Sequence, residues 1–174
     1  MAEMAEIEIS PLRLDEADAV VELAGRVWRA HYPGIISPAQ IEYMLEQRYR
    51  PVLVKQFIAR GDVWLAARAG VEIVGFAHGH PLGDGDYKLD KLYVETGLQR
   101  HGIGGLLIRA MAERALALGY ARLALRVNRQ NQQAIDAYLK YDFTVQTIYL
   151  ESIGGGPGLE NYVMDDYVMT KELT

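Results

Sequence analysis

A glycine-rich turn between a predicted strand and a predicted helix is the feature that most constrains how this chain folds. Before the turn, Leu89 to Val94 alternates apolar and polar side chains, which is typical of a half-buried strand. After the turn, apolar residues recur at helical spacing as far as Gly119, where we expect the helix to end. The chain therefore places glycine-rich backbone at the N-terminus of a helix.

The turn itself spans Gln99 to Gly105 and reads QRHGIGG. The first N–H groups of a helix lack internal partners and lie at the positive end of the helix dipole, so they can bind a phosphate. Gly102, Gly104 and Gly105 remove Cβ atoms that would keep a phosphate away from the backbone. The spacing lacks the Gly-Lys-Ser/Thr ending of a P-loop and the last glycine of the dinucleotide fingerprint. By itself, such a turn is as often only a tight connection.

Two motifs together give the turn a specific context. Gln99 to Gly104 fits the pattern Gln/Arg-x-x-Gly-x-Gly/Ala, and the strand ARLALRV follows the helix. Asn131, Ala134 and Tyr138 then fit Asn-x-x-Ala-x-x-x-Tyr on one side of the next helix. These motifs resemble the acetyl-coenzyme A site of the GNAT superfamily of N-acetyltransferases. Three segments together resemble the PaiA-type, polyamine acetyltransferase-like branch: VWRAHYPGIISPAQIEYML, KLDKLYV and the ending YVMDDYVMTKEL.

The resemblance and the periodicity predict one fold. We expect a single domain over residues 1–174: an α/β fold with a mixed, mostly antiparallel sheet, a central β-α-β motif and helices on both faces. Helix starts are predicted at Asp15, as an N-cap, and at Ser37 before Pro38, and a third short helix at Pro51 to Ala59. Asp142 stands where the family usually has a glycine of positive φ, and we expect it to adopt that conformation.

Composition excludes several classes of function. The formal net charge of −5 disfavours a general nucleic-acid-binding surface. The chain has no cysteine, so neither disulfides nor thiolate chemistry can contribute. No apolar run approaches a membrane span, and the N-terminus lacks the pattern of an export signal. We therefore expect a cytoplasmic protein with neither nucleic acid nor membrane as partner.

The resemblance implies that an acetyl group passes from acetyl-coenzyme A to an amine by direct attack in a ternary complex. It implies that Tyr138 protonates the departing thiolate, although a tyrosine on a helix is more often a core residue. Asp90 is the first candidate for the general base and Glu95 the second, and for both the alternative is a surface carboxylate or an ion pair.

The resemblance also implies the residues that bind the coenzyme. The strand around Asp90 to Val94 should separate from the strand Leu123 to Val127, so that backbone groups of Leu92, Tyr93 and Val94 can pair with the pantetheine arm. Asn131 would bind the pantetheine amide, and the alternative for Asn128 is a helix cap. The predicted coenzyme-binding residues are Leu92, Tyr93, Val94, Gln99, Arg100, His101, Gly102, Ile103, Gly104, Gly105, Asn131, Ala134 and Tyr138.

The acceptor is expected to contact the first two helices and the last strands. Trp28 and Tyr32, with Tyr43, could wall an amine pocket through cation–π attraction, and Asp165 and Asp166 could supply its counter-charge. No metal site is expected, because His78 and His80 lack further ligands at suitable spacing.

Three functions stay open at this stage: acetylation of a small-molecule amine, acetylation of a protein amine, and sensing of acyl-coenzyme A without turnover. The last strand and its neighbours could also support a homodimer.

Overall fold

One sheet of seven strands organises the part of the chain that the structure, a computed structural model, describes: residues 6–99, 101–152 and 163–174. Its strand order is β1-β2-β3-β4-β5-β7-β6. Within those ranges the β4–β5 pair is parallel and every other neighbouring pair is antiparallel. The sheet is therefore mixed and mostly antiparallel, as predicted. The strands are β1 (Ile7–Pro11), β2 (Val63–Ala69), β3 (Glu72–Gly83), β4 (Asp86–Val94), β5 (Arg122–Asn128), β6 (Thr144–Ser152) and β7 (Val163–Glu172).

Helices cover both faces of this sheet. On one face, buried residues such as Leu23 and Val54 pack against Trp64 and Phe76 of the sheet. On the other, Leu107 and other apolar residues pack against β5. No helix in the described ranges is long and apolar enough to cross a membrane. The first face carries α1 (Ala17–His31), α2 (Pro38–Arg48) and α3 (Pro51–Ala59), and the second carries α4 (Ile103–Ala117) and α5 (Gln132–Lys140).

The helix ends follow local chemistry, with one exception to the prediction. Ser37 caps α2, since its Oγ accepts a hydrogen bond from the N–H of Gln40 at 3.1 Å. The predicted N-cap at Asp15 is wrong. Asp15 lies inside a 3₁₀ turn, Leu14–Glu16, and the Glu16 carboxylate accepts from the N–H of Arg13 at 2.8 Å. The first long helix therefore begins two residues later than Asp15, at Ala17.

The end of α5 confirms the expectation for Asp142. This residue has a φ of +70°, and the N–H of Phe143 bonds to the carbonyl of Tyr138 at 3.0 Å. An aspartate tolerates the left-handed region better than most side chains, so the helix ends as it would with glycine.

A β-bulge in β4 changes which side chains face which side of the sheet. Leu89 pairs with Gly79, but the next pair is Lys91 with His78, which leaves Asp90 without a partner across β3. Leu89 packs with α4 before the bulge, and Leu92 and Val94 pack there after it. The phase of the alternation therefore shifts by one residue, which the simple strand pattern did not predict.

Beyond this bulge, β4 and β5 separate as the resemblance implied. Their pairing covers Asp86–Lys88 against Arg122–Ala124. The side of Leu92–Val94 that would face β5 is consequently free to meet a ligand, because no strand of the described residues pairs with it there.

Candidate active site

A cavity of about 880 Å³ opens where β4 and β5 separate. The start of α4 and the side chains of α5 line one part of it, and α1, α2 and β7 line the other. Of the predicted site residues that the structure describes, those lining the cavity are Trp28, Tyr32, Tyr43, Asp90, Leu92, Tyr93, Val94, Gln99, Gly102, Ile103, Gly104, Asn131, Ala134, Tyr138 and Asp166. Arg100 lies outside the described residues.

The glycines of the turn serve three different purposes. Gly102 is the N-cap of α4 with a φ of +81°, a conformation that favours glycine. A Cβ on Gly104 would meet nothing within 4 Å, so this residue leaves open space beside the helix start. A Cβ on Gly105 would lie 2.5 Å from the Tyr141 hydroxyl oxygen. Gly105 thus allows close packing against Tyr141, and neither it nor the exposed His101 lines the cavity.

Gln99 fixes the turn to its neighbours. Its Nε2 donates to the Val94 carbonyl at 3.2 Å, and its Oε1 accepts from Nε2 of Gln133 at 3.2 Å. One side chain therefore joins the end of β4 to the turn and to the first residues of α5.

The residues around the cavity provide the features that coenzyme A binding requires. The helix N-terminus, the open space at Gly104 and the unpaired side of Leu92–Val94 all border the same cavity. A pyrophosphate suits the helix start, and an arm of amides suits a free strand edge.

Tyr138 projects from α5 into this cavity. Its ring packs edge-on against Phe143, with 5.5 Å between ring centroids, and its hydroxyl has no hydrogen-bond partner among the described residues. Burial, reinforced by nearby Tyr32, raises the pKa of Tyr138 above the usual range of a phenol. The side chain therefore keeps its proton at neutral pH and can donate it.

Asn131 both caps α5 and contacts α1. Its Oδ1 accepts from the N–H of Ala134 at 3.3 Å and lies 2.9 Å from Nε2 of His31. The suggestion that Asn128 caps this helix is wrong, because Asn128 Oδ1 accepts from the N–H of Gln130 in the preceding turn. The two Asn131 acceptor contacts leave its amide N–H groups available to a ligand in the cavity.

His31 was missed by sequence reasoning. It lines the cavity from α1 and lies one hundred residues from its partner along the chain, so no local pattern links the two. Because Asn131 Oδ1 can only accept, His31 carries a proton on Nε2 and leaves Nδ1 free of this contact.

Aromatic side chains form the far wall of the cavity. The ring centroids of Trp28 and Tyr32 are 4.3 Å apart, and those of Trp28 and Tyr93 are 5.9 Å apart. The hydroxyl oxygens of Tyr32 and Tyr93 lie 3.3 Å apart. The structure thus brings together Trp28 and Tyr32, both predicted from the sequence, with Tyr93.

Asp90 lies among three cationic side chains and His80. Its carboxylate contacts Arg48 at 2.7 Å, Nζ of Lys91 at 3.3 Å and Nε2 of His80 at 3.3 Å, with Lys88 at 3.7 Å. Burial alone would raise the pKa of Asp90, but these groups together hold it well below its usual range. A carboxylate of such low basicity is poorly suited to accept a proton, so the base role predicted for Asp90 lacks electrostatic support.

Glu95, the second base candidate, points elsewhere. Its carboxylate pairs with Arg26 at 3.0 Å, and it does not line the cavity. The alternative interpretation as an ion pair therefore fits it.

Asp166 has the opposite environment to Asp90. It lies on β7, is 4% exposed and lines the cavity, and no described residue forms an ion pair with it. Burial raises the pKa of Asp166, against the influence of Arg126 and Arg48. Its neighbour Asp165 instead lies 3.5 Å from Arg129 and does not line the cavity. The two adjacent aspartates, which look equivalent in the sequence, therefore lie in different environments.

A buried chain of polar groups lies behind Asp90. Burial and the charge of Lys91 lower the pKa of His78 to about 3, so the ring is neutral at pH 7. His78 can then donate from Nε2 to Asp62 at 2.7 Å and accept from Lys91 Nζ at 3.2 Å on Nδ1. Both ring nitrogens are thus occupied by protein partners. Among the described residues no group of three or more His, Cys, Asp and Glu side chains could hold a metal ion.

Comparison with known proteins agrees with this fold. Residues 21–143 match the model of the Acetyltransferase (GNAT) family, and the chain belongs to that family. It is an N-acetyltransferase of the type that uses acetyl-coenzyme A.

Individual relatives show how far the similarity extends. A spermidine N(1)-acetyltransferase of Thermoplasma acidophilum is 26% identical over 145 residues, which cover 80% of this chain and 89% of that protein. A probable N-acetyltransferase of Mycobacterium tuberculosis is 33% identical over 128 residues, covering 68% and 69%. The PaiA N-acetyltransferase of Thermoplasma acidophilum, solved in complex with coenzyme A, superposes with a TM-score of 0.81 at 24% identity, covering 96% of this chain and 99% of that one.

Proposed function

We propose that this enzyme transfers the acetyl group of acetyl-coenzyme A to the primary amine of a small molecule by direct attack in a ternary complex. The observation that carries the proposal is the single cavity that joins the α4 N-terminus and Tyr138 to a wall of aromatic residues and Asp166. Because the Thermoplasma relative is a spermidine acetyltransferase, a polyamine is one candidate acceptor.

In this proposal the two ends of the cavity bind different molecules. The backbone of Gly102 to Gly104 at the start of α4 holds the pyrophosphate, while the free edge of Leu92–Val94 and the amide of Asn131 hold the pantetheine arm. The coenzyme supplies the activated thioester when bound. Tyr138 donates the proton that the departing thiolate needs, since its phenol remains protonated at neutral pH.

The acceptor amine arrives as an ammonium ion and releases a proton to solvent before the neutral amine attacks. Asp166 is the carboxylate best placed to hold that ammonium, because it is buried, lines the cavity and has no ion-pair partner in the described chain, whereas the other lining carboxylates are exposed or paired. Trp28 and Tyr32 add apolar and cation–π contacts beside it.

Acetylation of a protein amine is the alternative. A peptidyl-lysine N-acetyltransferase of Escherichia coli is 31% identical over 93 residues, but the match covers 53% of this chain and 56% of that one. In this chain, Tyr32 and Tyr43 from the first two helices line the cavity and restrict it, which favours a small acceptor.

Release of free thiol from acetyl-coenzyme A tests these functions directly. We expect saturable release with small amines. Release with peptides alone would instead establish a protein acetyltransferase. Coenzyme binding without release for any acceptor would leave a sensor of acyl-coenzyme A and contradict the proposal.

A further inference from the structure

The acceptor end of the cavity contains both signs of charge, with cations in excess. Two guanidinium groups and one ammonium line this end, from Arg48, Arg126 and Lys88. Two carboxylates, Asp90 and Asp166, line it as well. A site selective for a polycation would show the reverse balance, because every added ammonium needs a carboxylate that is not already paired.

Asp90 is not available to a ligand cation. Arg48 and Lys91 contact its carboxylate at 2.7 and 3.3 Å, and Lys88 lies 3.7 Å away. These three cations share one carboxylate, so the region around Asp90 keeps a positive excess. Lys88 and Arg48 both reach the cavity from this region.

Among the charges at the acceptor end, Asp166 and Arg126 have the least compensation. The carboxylate of Asp166 has no ion-pair partner in the described chain. The guanidinium of Arg126 stacks over the ring of Tyr149 at 4.4 Å, and its nearest carboxylate, that of the half-exposed Glu151, is 3.9 Å away. Tyr149 thus orients a guanidinium whose charge is only weakly neutralised.

The sheet places these two charges side by side. In the β5–β7 register, Arg126 pairs with Val168 and Asn128 pairs with Asp166. Arg126 and Asp166 are therefore diagonal neighbours on one face, a spacing of about 7–8 Å between Cα atoms. Lys88 lies on the adjacent strand opposite Ala124, two residues before Arg126. One anionic group can approach Arg126 and Lys88 while an ammonium contacts Asp166.

We propose that the acceptor is a small amine that also carries an anionic group a few bonds from its amine, as in an amino acid. The ammonium binds Asp166, and the anionic group binds between Arg126 and Lys88. This inference rests on the proposed function and narrows its substrate class. A polyamine has no anion to offer these cations, and its second ammonium would approach them unfavourably.

Matched pairs of acceptors test the inference, with thiol release from acetyl-coenzyme A as the measurement. Lysine and cadaverine differ by one carboxylate, as do ornithine and putrescine, and spermidine serves as the polycation. We expect kcat/KM to be about tenfold or more higher for the acid-bearing member of each pair, the size of a hydrogen-bonded contact to a charged group. Phosphoethanolamine against ethanolamine shows whether a phosphate replaces the carboxylate.

Variants of Arg126 and Lys88 test whether these two cations cause the preference for acceptors that carry an acid group. Arg126→Gln and Lys88→Gln should each move the ratio of kcat/KM within a pair toward one. Arg122→Gln is the matched control, because Arg122 lies on the same strand but pairs with Asp86 at 2.8 Å and does not line the cavity. The control should retain the ratio of the unaltered protein.

The outcomes separate this inference from the proposed function. Faster turnover of cadaverine, putrescine or spermidine than of the amino acids, with no effect of Arg126→Gln on the ratio, would overturn the inference and leave the small-amine function standing. No turnover of any amine by a protein that binds coenzyme A would overturn both.

Discussion

Tyr138 shows how one side chain obtains its chemistry from its surroundings. The phenol lies beside apolar Phe143 and another buried tyrosine, which keeps its proton in place over the range where enzymes usually work. In the proposed mechanism Tyr138 protonates the departing thiolate, and such a donor accelerates the reaction without strengthening coenzyme binding.

We therefore expect Tyr138→Phe to lower kcat by about a hundredfold, the lower end of what a positioned acid contributes. Coenzyme A affinity, measured by calorimetry, should remain within about twofold, since the substitution removes only a hydroxyl group. Tyr120→Phe is the control. Tyr120 packs against Tyr87 at 4.9 Å, away from the cavity, and its replacement should leave kcat unchanged. Equal kcat for Tyr138→Phe and the control would remove Tyr138 from the mechanism.

Lys91 gives a pH-dependent prediction at the same scale. The residue is 3% exposed, and burial lowers the pKa of Lys91 to about 8 despite the nearby Asp90 carboxylate. Because the unfolded chain holds this proton up to a higher pH, the folded protein gains stability as the pH rises from 8 toward 10.5. Relative to a Lys91→Met variant, the free energy of unfolding should rise by about 2 kcal/mol between pH 7 and 9.5.

Urea denaturation of both proteins at several pH values measures this difference. Lys55→Met, at an exposed position on α3, is the comparison for the loss of an exposed lysine. If the difference in the free energy of unfolding between the unaltered protein and Lys91→Met does not change with pH, burial does not lower the pKa of Lys91.

Three carboxylates of this protein show that residue type alone does not determine the environment of a side chain. Asp90, Glu95 and Asp166 are chemically alike, but they differ in their neighbours: a cluster of cations, one arginine, and a cavity without an ion-pair partner in the described chain. The arginines that pair with Asp90 and Glu95 come from α2 and α1, far from these carboxylates in the chain. Sequence reasoning could name the carboxylates, but it could not assign their basicities.

At the scale of elements, the glycines of the turn meet different structural requirements, and substitutions can test them separately. Gly104 faces open space beside the start of α4, whereas Gly105 faces the ring of Tyr141. The same motif therefore contains one glycine suited to ligand access and one needed for packing, and a third, Gly102, needed for its positive φ.

Gly104→Ala should leave the thermal midpoint unchanged or raise it, because alanine favours a helix by up to about 1 kcal/mol relative to glycine. It should weaken coenzyme A binding about tenfold or more by placing a methyl group where the pyrophosphate approaches. Gly105→Ala should lower stability by about 1–3 kcal/mol through its contact with Tyr141.

Thermal unfolding and calorimetric titration with coenzyme A distinguish the two variants. Tight coenzyme binding by Gly104→Ala would show that the phosphate lies elsewhere, whatever the effect on stability.

Element boundaries were predicted well where proline marks the first turn of a helix, although the N-cap signal at Asp15 misled. Ser37 before Pro38 marked the start of α2, and Pro51 and Ala59 bound α3 as predicted. The β4 bulge had no such signal, because it depends on how Asp90 and its neighbours pair with β3. The bulge directs both Asp90 and Lys91 toward polar partners, which a continuous alternation would have placed on opposite faces.

At the scale of the whole molecule, the last strands leave an apolar surface at the edge of the sheet. β6 is the terminal strand of the sheet, and Ile148, Leu150 and Val163 are 50%, 66% and 44% exposed. Pairing of Ile148 with Tyr167, Leu150 with Asp165 and Ser152 with Val163 places the three apolar side chains on one face. We name this set, Ile148, Leu150 and Val163, the β6 edge patch.

We expect two copies of the chain to associate through the β6 edge patch, since burial of exposed apolar side chains next to an unpaired strand edge favours a second strand edge. Leu150→Lys should convert the dimer to a monomer, as measured by sedimentation velocity, without lowering the thermal midpoint of the protomer. Val71→Lys, at a 99% exposed position between β2 and β3, is the control and should remain dimeric. A monomer at all concentrations for the unaltered protein would exclude this association.

The sequence by itself determined the fold class, the strand–turn–helix at Gly102, the Asn131–Ala134–Tyr138 series and most helix starts, because each depends on residues close together in the chain. Only the tertiary structure decided the contact of His31 with Asn131, the ion pair of Asp90 with Arg48, and the placement of Asp166 beside Arg126 in the cavity. These three features join elements far apart in sequence. Burial and neighbouring charge set the chemistry of an ionisable group, and both are properties of the assembled sheet and helices.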